Sequence, residues 1–265
     1  MGGRELSKSV TGEKPLGLRI GESVFCVGYL ITMMILGFVF LTKAIKGFSN
    51  SDLRADYYLY TSLAALTLVL GDAFHLIPRI VQNVRGEREK DAFALGLGNL
   101  ISSITMTITY IFLFLAVHFA TYPFYSTEET FMAEGFRQVI LILLLVLATV
   151  RVVLCIFPQN RWFDGVGDQR WALLRNVPFT AMGIVTVVYL VRFYLSGVDM
   201  ANGEGLFFSF LPYSRFLMMA ILVVVSFLCY LPVVLAGKKK PRLGMLMIPK
   251  TICYIWLICL FFDLT

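Results

Sequence analysis

Charge is what this chain has least of. Only 15% of its 265 residues are Asp, Glu, Lys or Arg, against about 25% in an ordinary soluble protein. That scarcity excludes a soluble domain, a disordered chain and a nucleic-acid enzyme. Histidine is nearly absent: His75 and His118 are the only two. With no HxxxH or HExxH spacing, the three-histidine zinc site of seven-span ceramidases and adiponectin receptors has no counterpart. The five cysteines form no CxxC pair, and all fall in apolar stretches, so they read as packing residues rather than disulfides or metal ligands. No GxxxxGK phosphate loop occurs, and Ser226 has no flanking glycines that would make it a nucleophile elbow. The expectation is therefore no metal and no cofactor.

What is present is hydrocarbon. Hydrophobic residues make up 58% of the chain, with 23 phenylalanines, and the mean hydropathy is +0.78. A span needs roughly 20 apolar residues to cross about 30 Å. Seven runs qualify: Ser23–Lys43, Tyr57–Ile80, Phe93–Phe119, Gln138–Phe157, Leu173–Leu195, Leu211–Ala236 and Leu243–Phe262. Lipid cannot satisfy an open sheet edge, and the runs are too long for barrel strands, so they predict helices. The expected fold is an all-α, seven-helix polytopic bundle. A polar segment, 1–22, precedes the transmembrane domain, 23–265. That segment has no apolar core, so no cleavable signal peptide is expected.

Lys and Arg set the orientation. One set of connections and adjoining span ends carries fifteen of the 23 cations and the other carries six, with Arg151 and Lys250 deeper inside spans. The richer side is expected to be cytoplasmic, which puts the amino terminus inside and the carboxyl terminus outside. The expected location is the plasma (cytoplasmic) membrane. Short interfacial helices are expected around Phe124–Phe131 and Phe207–Phe210. The net charge of +6 is a topology signal, and no nucleic-acid partner is expected. The Lys238–Arg242 cluster reads first as a stop-transfer signal, and second as a contact for anionic headgroups.

Charged side chains inside spans cost about 2.5–3.5 kcal/mol each on insertion scales, so each needs a reason. Asp72 lies about 8 residues, roughly 12 Å at 1.5 Å per residue, from the cytoplasmic end of the second span. His75 and Arg79 follow on the same helix face. Lys250, in the seventh span, falls at nearly the same depth. Arg151 lies near the cytoplasmic end of the fourth span. Asn99 and Ser103 open the third, Asn176 opens the fifth, Ser226 and Tyr230 close the sixth, and Tyr254 shares a face with Lys250. Six spans thus send polar groups to one level, while the first sends almost none and is expected to be peripheral scaffold. The predicted feature is a polar cavity open to the cytoplasm, with Asp72 paired to Lys250 or Arg151 and Arg79 at the interface. The alternative is a buried ion network that fixes helix register. A lysine in a seventh helix with an aspartate counter-ion also suggests a retinal Schiff base. The inside amino terminus and Pro249 depart from that pattern, so Lys250 is expected in an ion pair.

Asp72, His75 and Lys250 are the candidate catalytic residues, as base and cation. Asn99, Ser103, Arg151, Asn176, Ser226, Tyr230 and Tyr254 are the candidate binding residues. The expected partner is a membrane lipid or a small anionic ligand; the oligomeric state is not encoded in any recognisable signal. Three functions compete: a lipid-modifying hydrolase, a receptor or binding protein for an anion or headgroup, and a transporter. The apolar outer halves, for example Ile111–Val117 and Val139–Leu147, weigh against a conduit.

Gly71-Asp72-Ala73-Phe74-His75-Leu76-Ile77-Pro78-Arg79 closes a span, and after a basic loop comes Gly96-Leu97-Gly98-Asn99. This resembles the GD…LPR signature of the YhhN-type lysoplasmalogenase family, multi-span helical proteins that hydrolyse the vinyl-ether bond of lysoplasmalogens. The resemblance implies Asp72 as catalytic acid or base, with Ser226 lining the site. The family has about eight spans where seven are read here. Its early lysine–proline motif is missing, and its later Ser-Asp pair is Ser226-Phe227, so the second carboxylate has no counterpart.

Overall fold

A computed structural model describes residues 16–86, 91–121, 130–163, 168–204, 211–236 and 241–264. The expected interfacial segment 207–210 and most of 124–131 lie outside these residues, as do 1–15 and 237–240. Seven α-helices are described: α1 Leu16–Ser49, α2 Ala55–Arg85, α3 Asp91–Thr121, α4 Thr130–Ile156, α5 Gln169–Glu204, α6 Leu211–Ala236 and α7 Met247–Leu260. Seven helical stretches are long and apolar enough to cross a membrane; the seventh, Leu243–Leu260, joins α7 to the helical turn before it. The chain is an all-α, multi-pass integral membrane protein, and no strand occurs among the described residues.

Several helices outrun the expected spans. The first begins at Leu16 rather than Ser23, so part of the segment expected to be a separate polar tail is continuous with the first span. Its polar residues are held there: Arg19 donates to the Gln82 carbonyl at 3.3 Å, and Glu22 pairs with Arg79. The sixth helix matches its expected limits. Before α7, Pro241–Leu246 forms a 3₁₀ turn. The α-helix then starts two residues ahead of Pro249, where a missing N–H disrupts least.

Neighbouring helices run antiparallel. Tyr29 of α1 meets Asp72 of α2 while Phe40 meets Tyr58. Further round, Asn176 of α5 meets Tyr230 of α6 while Phe193 meets Phe216. The ring closes at the Phe40–Tyr58 end, where Phe262, beyond α7, packs on Phe40 and the Tyr57 hydroxyl donates to the Phe261 carbonyl. Lys43 sits there over the rings of Phe40, Tyr58 and Phe262. The third helix crosses the interior, touching α5 through Tyr110–Phe179 and α7 through Tyr110–Tyr254. Its centre is accordingly buried: Tyr110, Ala116 and Val117 are fully enclosed. The outward faces carry exposed Ile31, Ile35, Phe38, Leu143, Val146 and Val150, the surface a bilayer solvates.

Candidate functional site

The site begins at a seam of small residues between α2 and α3. A Cβ added at Gly71 would lie 1.7 Å from Thr105 Oγ1, and one at Gly98 would lie 2.3 Å from the Phe74 carbonyl oxygen and 2.8 Å from His75 Cα. Only glycine permits that approach. Pro78 contributes, because it has no N–H to offer the carbonyl four residues back. That carbonyl belongs to Phe74 and is left facing the Gly98 backbone. The glycines of both motif segments therefore have a packing role, and the residues between them are pressed against the next helix.

Asp72 emerges from this seam with both oxygens engaged. Tyr29 Oη donates to Oδ2 at 2.7 Å, and Ser102 Oγ donates to Oδ1 at 3.0 Å. Neither Lys250 nor Arg151 forms an ion pair with it within 4.0 Å, so the expected charge partners are replaced by two hydroxyls. The first helix, expected to be bare scaffold, supplies one of them: Tyr29 is 2% exposed. Beyond Asp72 lies a cavity of about 270 Å³. One wall is α2 and α3, with Asp72, His75, Arg79, Asn99 and Ser103; His75 Nδ1 is buried there without a hydrogen-bond partner. The facing wall holds Arg151, Arg175, Tyr230 and Lys250 from the last four helices. Apolar Leu76, Met106 and Met247 share the lining.

The cations on the facing wall have neutral company. Arg151 is 2% exposed, its guanidinium carbon is 3.5 Å from the centre of the Phe179 ring, and Nε and Nη1 have no hydrogen-bond partner. Arg175 donates from Nη1 to Asn160 Oδ1 at 2.7 Å and stacks on Trp162 at 4.0 Å. Lys250 Nζ lies 4.7 Å from the Tyr230 ring centre and 5.6 Å from that of Tyr254. Arg79 is the exception: Nε meets Glu22 Oε1 at 2.6 Å, with both side chains partly exposed.

Seven of the ten candidate residues, namely Asp72, His75, Asn99, Ser103, Arg151, Tyr230 and Lys250, line one cavity. The other three stand behind it. Asn176 Oδ1 accepts from Tyr230 Oη at 2.6 Å and so orients that ring. Tyr254 shares a 3.2 Å hydroxyl contact with Tyr110, and Ser226, 1% exposed, lies against this pair rather than on the wall. Sequence reasoning missed Tyr29, Ser102, Trp162 and Arg175. It also missed Asn160, whose amide nitrogen donates to the carbonyls of Leu154, Cys155 and Phe157 while its oxygen holds Arg175. Polarity at the right depth marked Ser102 and Arg175; nothing local marked Tyr29. Among the described residues no three His, Cys, Asp or Glu side chains come together as a metal site. Comparison with known protein families, curated proteins and solved structures gives no match.

Proposed function

We propose that this membrane protein binds an anionic small molecule or lipid headgroup in its cytoplasm-facing cavity. One observation carries the reading: Arg151, Arg175 and Lys250 line a single cavity with no carboxylate within 4.0 Å of any of them among the described residues. Buried charges that lack a partner are costly, and a bound anion supplies the missing charge. Guanidinium groups suit carboxylate and phosphate because they present parallel N–H donors. The test is native mass spectrometry with lipidomics on protein purified in mild detergent. A co-purified anion held by wild type and lost from Arg175→Gln/Lys250→Gln supports the reading. Wild type that is bare, or that carries only neutral lipid, removes it.

A second reading follows the YhhN-type resemblance: hydrolysis of a lysolipid ether. It is favoured by Asp72 and His75, one turn apart on the cavity wall, as a carboxylate and an imidazole able to move protons. Two features weigh against it. Asp72 is the one carboxylate lining the cavity among the described residues, and Ser226 stands behind the wall. Incubation with a lysoplasmalogen tests it: aldehyde release by wild type that is lost in Asp72→Asn supports the hydrolase, and no release refutes it.

A further inference from the structure

We infer that the ligand carries a dianionic phosphomonoester. This rests on the anion-binding reading and narrows it to one charge class. Arg79 is balanced by Glu22. Arg151 has an aromatic face, Arg175 a neutral amide and an indole, and Lys250 two phenol rings. The carboxylate on the wall, Asp72, takes its hydrogen bonds from Tyr29 and Ser102, neither of which carries charge. Among the described lining residues, with Arg79 set aside as paired, three cations against one carboxylate leave two positive charges. A carboxylate or phosphodiester ligand neutralises one of them. A phosphomonoester, at about −1.5 to −2 near neutral pH, neutralises both.

Arg151 makes the arrangement a built site rather than a charge cluster. It is the largest fully buried side chain described and lies on the cavity wall, with Nε and Nη1 lacking hydrogen-bond partners. The apolar contribution of Leu76, Met106 and Met247 to the same lining suits a group with some hydrocarbon next to the phosphate. A lysophosphatidate and a soluble phosphate ester bring the same chemistry from two sources.

Calorimetry on the full chain in mild detergent separates these cases, with oleoyl lysophosphatidic acid, oleoyl lysophosphatidylglycerol and glycerol 3-phosphate as probes. A phosphomonoester is expected to bind at least roughly tenfold more tightly than the diester near neutral pH. Lowering the pH through the second phosphate ionisation, about 6, is expected to weaken the monoester and leave the diester unweakened. The titratable and charged groups facing the ligand are Asp72, His75, Arg79, Arg151, Arg175, Tyr230 and Lys250. Protonation of Asp72 or His75 would strengthen anion binding, so a loss of affinity in acid comes from the ligand. Arg175→Gln and Lys250→Gln, checked for an intact melting transition, are each expected to cost the monoester roughly ten- to hundredfold. Tighter binding of the lysophosphatidic acid than of glycerol 3-phosphate assigns a lipid source, and the reverse order a soluble one. Equal affinity for monoester and diester overturns the dianion inference while leaving the anion-binding reading intact. Failure of all three probes to bind overturns both.

Discussion

Adding one methyl group at Gly98 tests the seam on which the site is built. The new Cβ would lie 2.3 Å from the Phe74 oxygen and 2.8 Å from His75 Cα, both backbone atoms of α2, so no rotamer change relieves the overlap. Carbon–oxygen contacts between helices settle at about 3.3–3.6 Å, so α2 and α3 must part by about 1 Å at this level. Ser102, now 3.0 Å from Asp72, would then pass out of hydrogen-bond range. Overpacking costs about 1–3 kcal/mol, and loss of a hydrogen bond to a charged group costs about 1.5–3 kcal/mol. Alanine's better helix propensity returns at most about 1 kcal/mol. Gly98→Ala is therefore expected to destabilise the protein by about 2–4 kcal/mol. Gly28 is the control, because a Cβ there meets nothing within 4 Å. Gly28→Ala should stay within about 1 kcal/mol of wild type. The assay is unfolding from mild-detergent micelles by added dodecyl sulfate, followed by circular dichroism. Equal midpoints for the two variants would refute the close approach of the helices and the placement of Asp72 and His75 that depends on it.

Tyr29→Phe removes a donor from the Asp72 carboxylate and is expected to cost about 1–3 kcal/mol. In a cycle with Asp72→Asn the two losses should fail to add by at least about 0.5 kcal/mol, and additive midpoints would show that the contact carries no energy. Asn160→Ala leaves three carbonyls without their shared donor and frees Arg175, so a loss of about 2–3 kcal/mol is expected in the same assay. Glu22→Gln breaks a partly exposed pair and should cost under about 1 kcal/mol, with the difference shrinking in high salt. Lys239→Cys in a cysteine-free background should react with an impermeant maleimide only after the cytoplasmic face is opened; labelling from outside would invert the topology.

The helix count was legible because hydropathy is local: each crossing is written in about 20 consecutive residues. The helix ends were less so, because a helix may continue past the hydrocarbon when its polar groups find partners, as Arg19 and Glu22 do on α2. Within the site, the ionisable residues were legible because so few enter the spans. Depth could be read by counting residues, but rotation could not. Ser102 and Ser103 are neighbours in sequence, yet one hydroxyl reaches Asp72 while the other bonds the Asn99 carbonyl. Ser226 and Tyr254 are at a suitable depth and face inward behind the wall. Tyr29 was invisible for another reason. A tyrosine in an apolar span carries no mark of its partner, and Asp72 is 43 residues away.

The ring that packs on Arg151 also belongs to the aromatic core of the bundle. Phe179 lies under the guanidinium, meets Tyr110 edge-on at 5.2 Å, and packs against Phe227 at 5.0 Å. Further along α5, Phe114 packs on Tyr189, and Phe193 on Phe216. Displacing Phe179 would disturb both sets of contacts, with Arg151 and with the neighbouring rings. That would strip the aromatic face from Arg151, a contact worth about 0.5–2 kcal/mol depending on desolvation, while the charge stays buried. On the proposed anion-binding reading, an anion held at Arg151 is expected to keep the guanidinium against Phe179 and so to favour this packed arrangement. A transporter needs the opposite coupling, in which its cargo binds comparably to inward-open and outward-open states. On that reading, the Phe179 contact shared between the buried cation and the aromatic core favours a protein that holds or converts its ligand over one that conducts it.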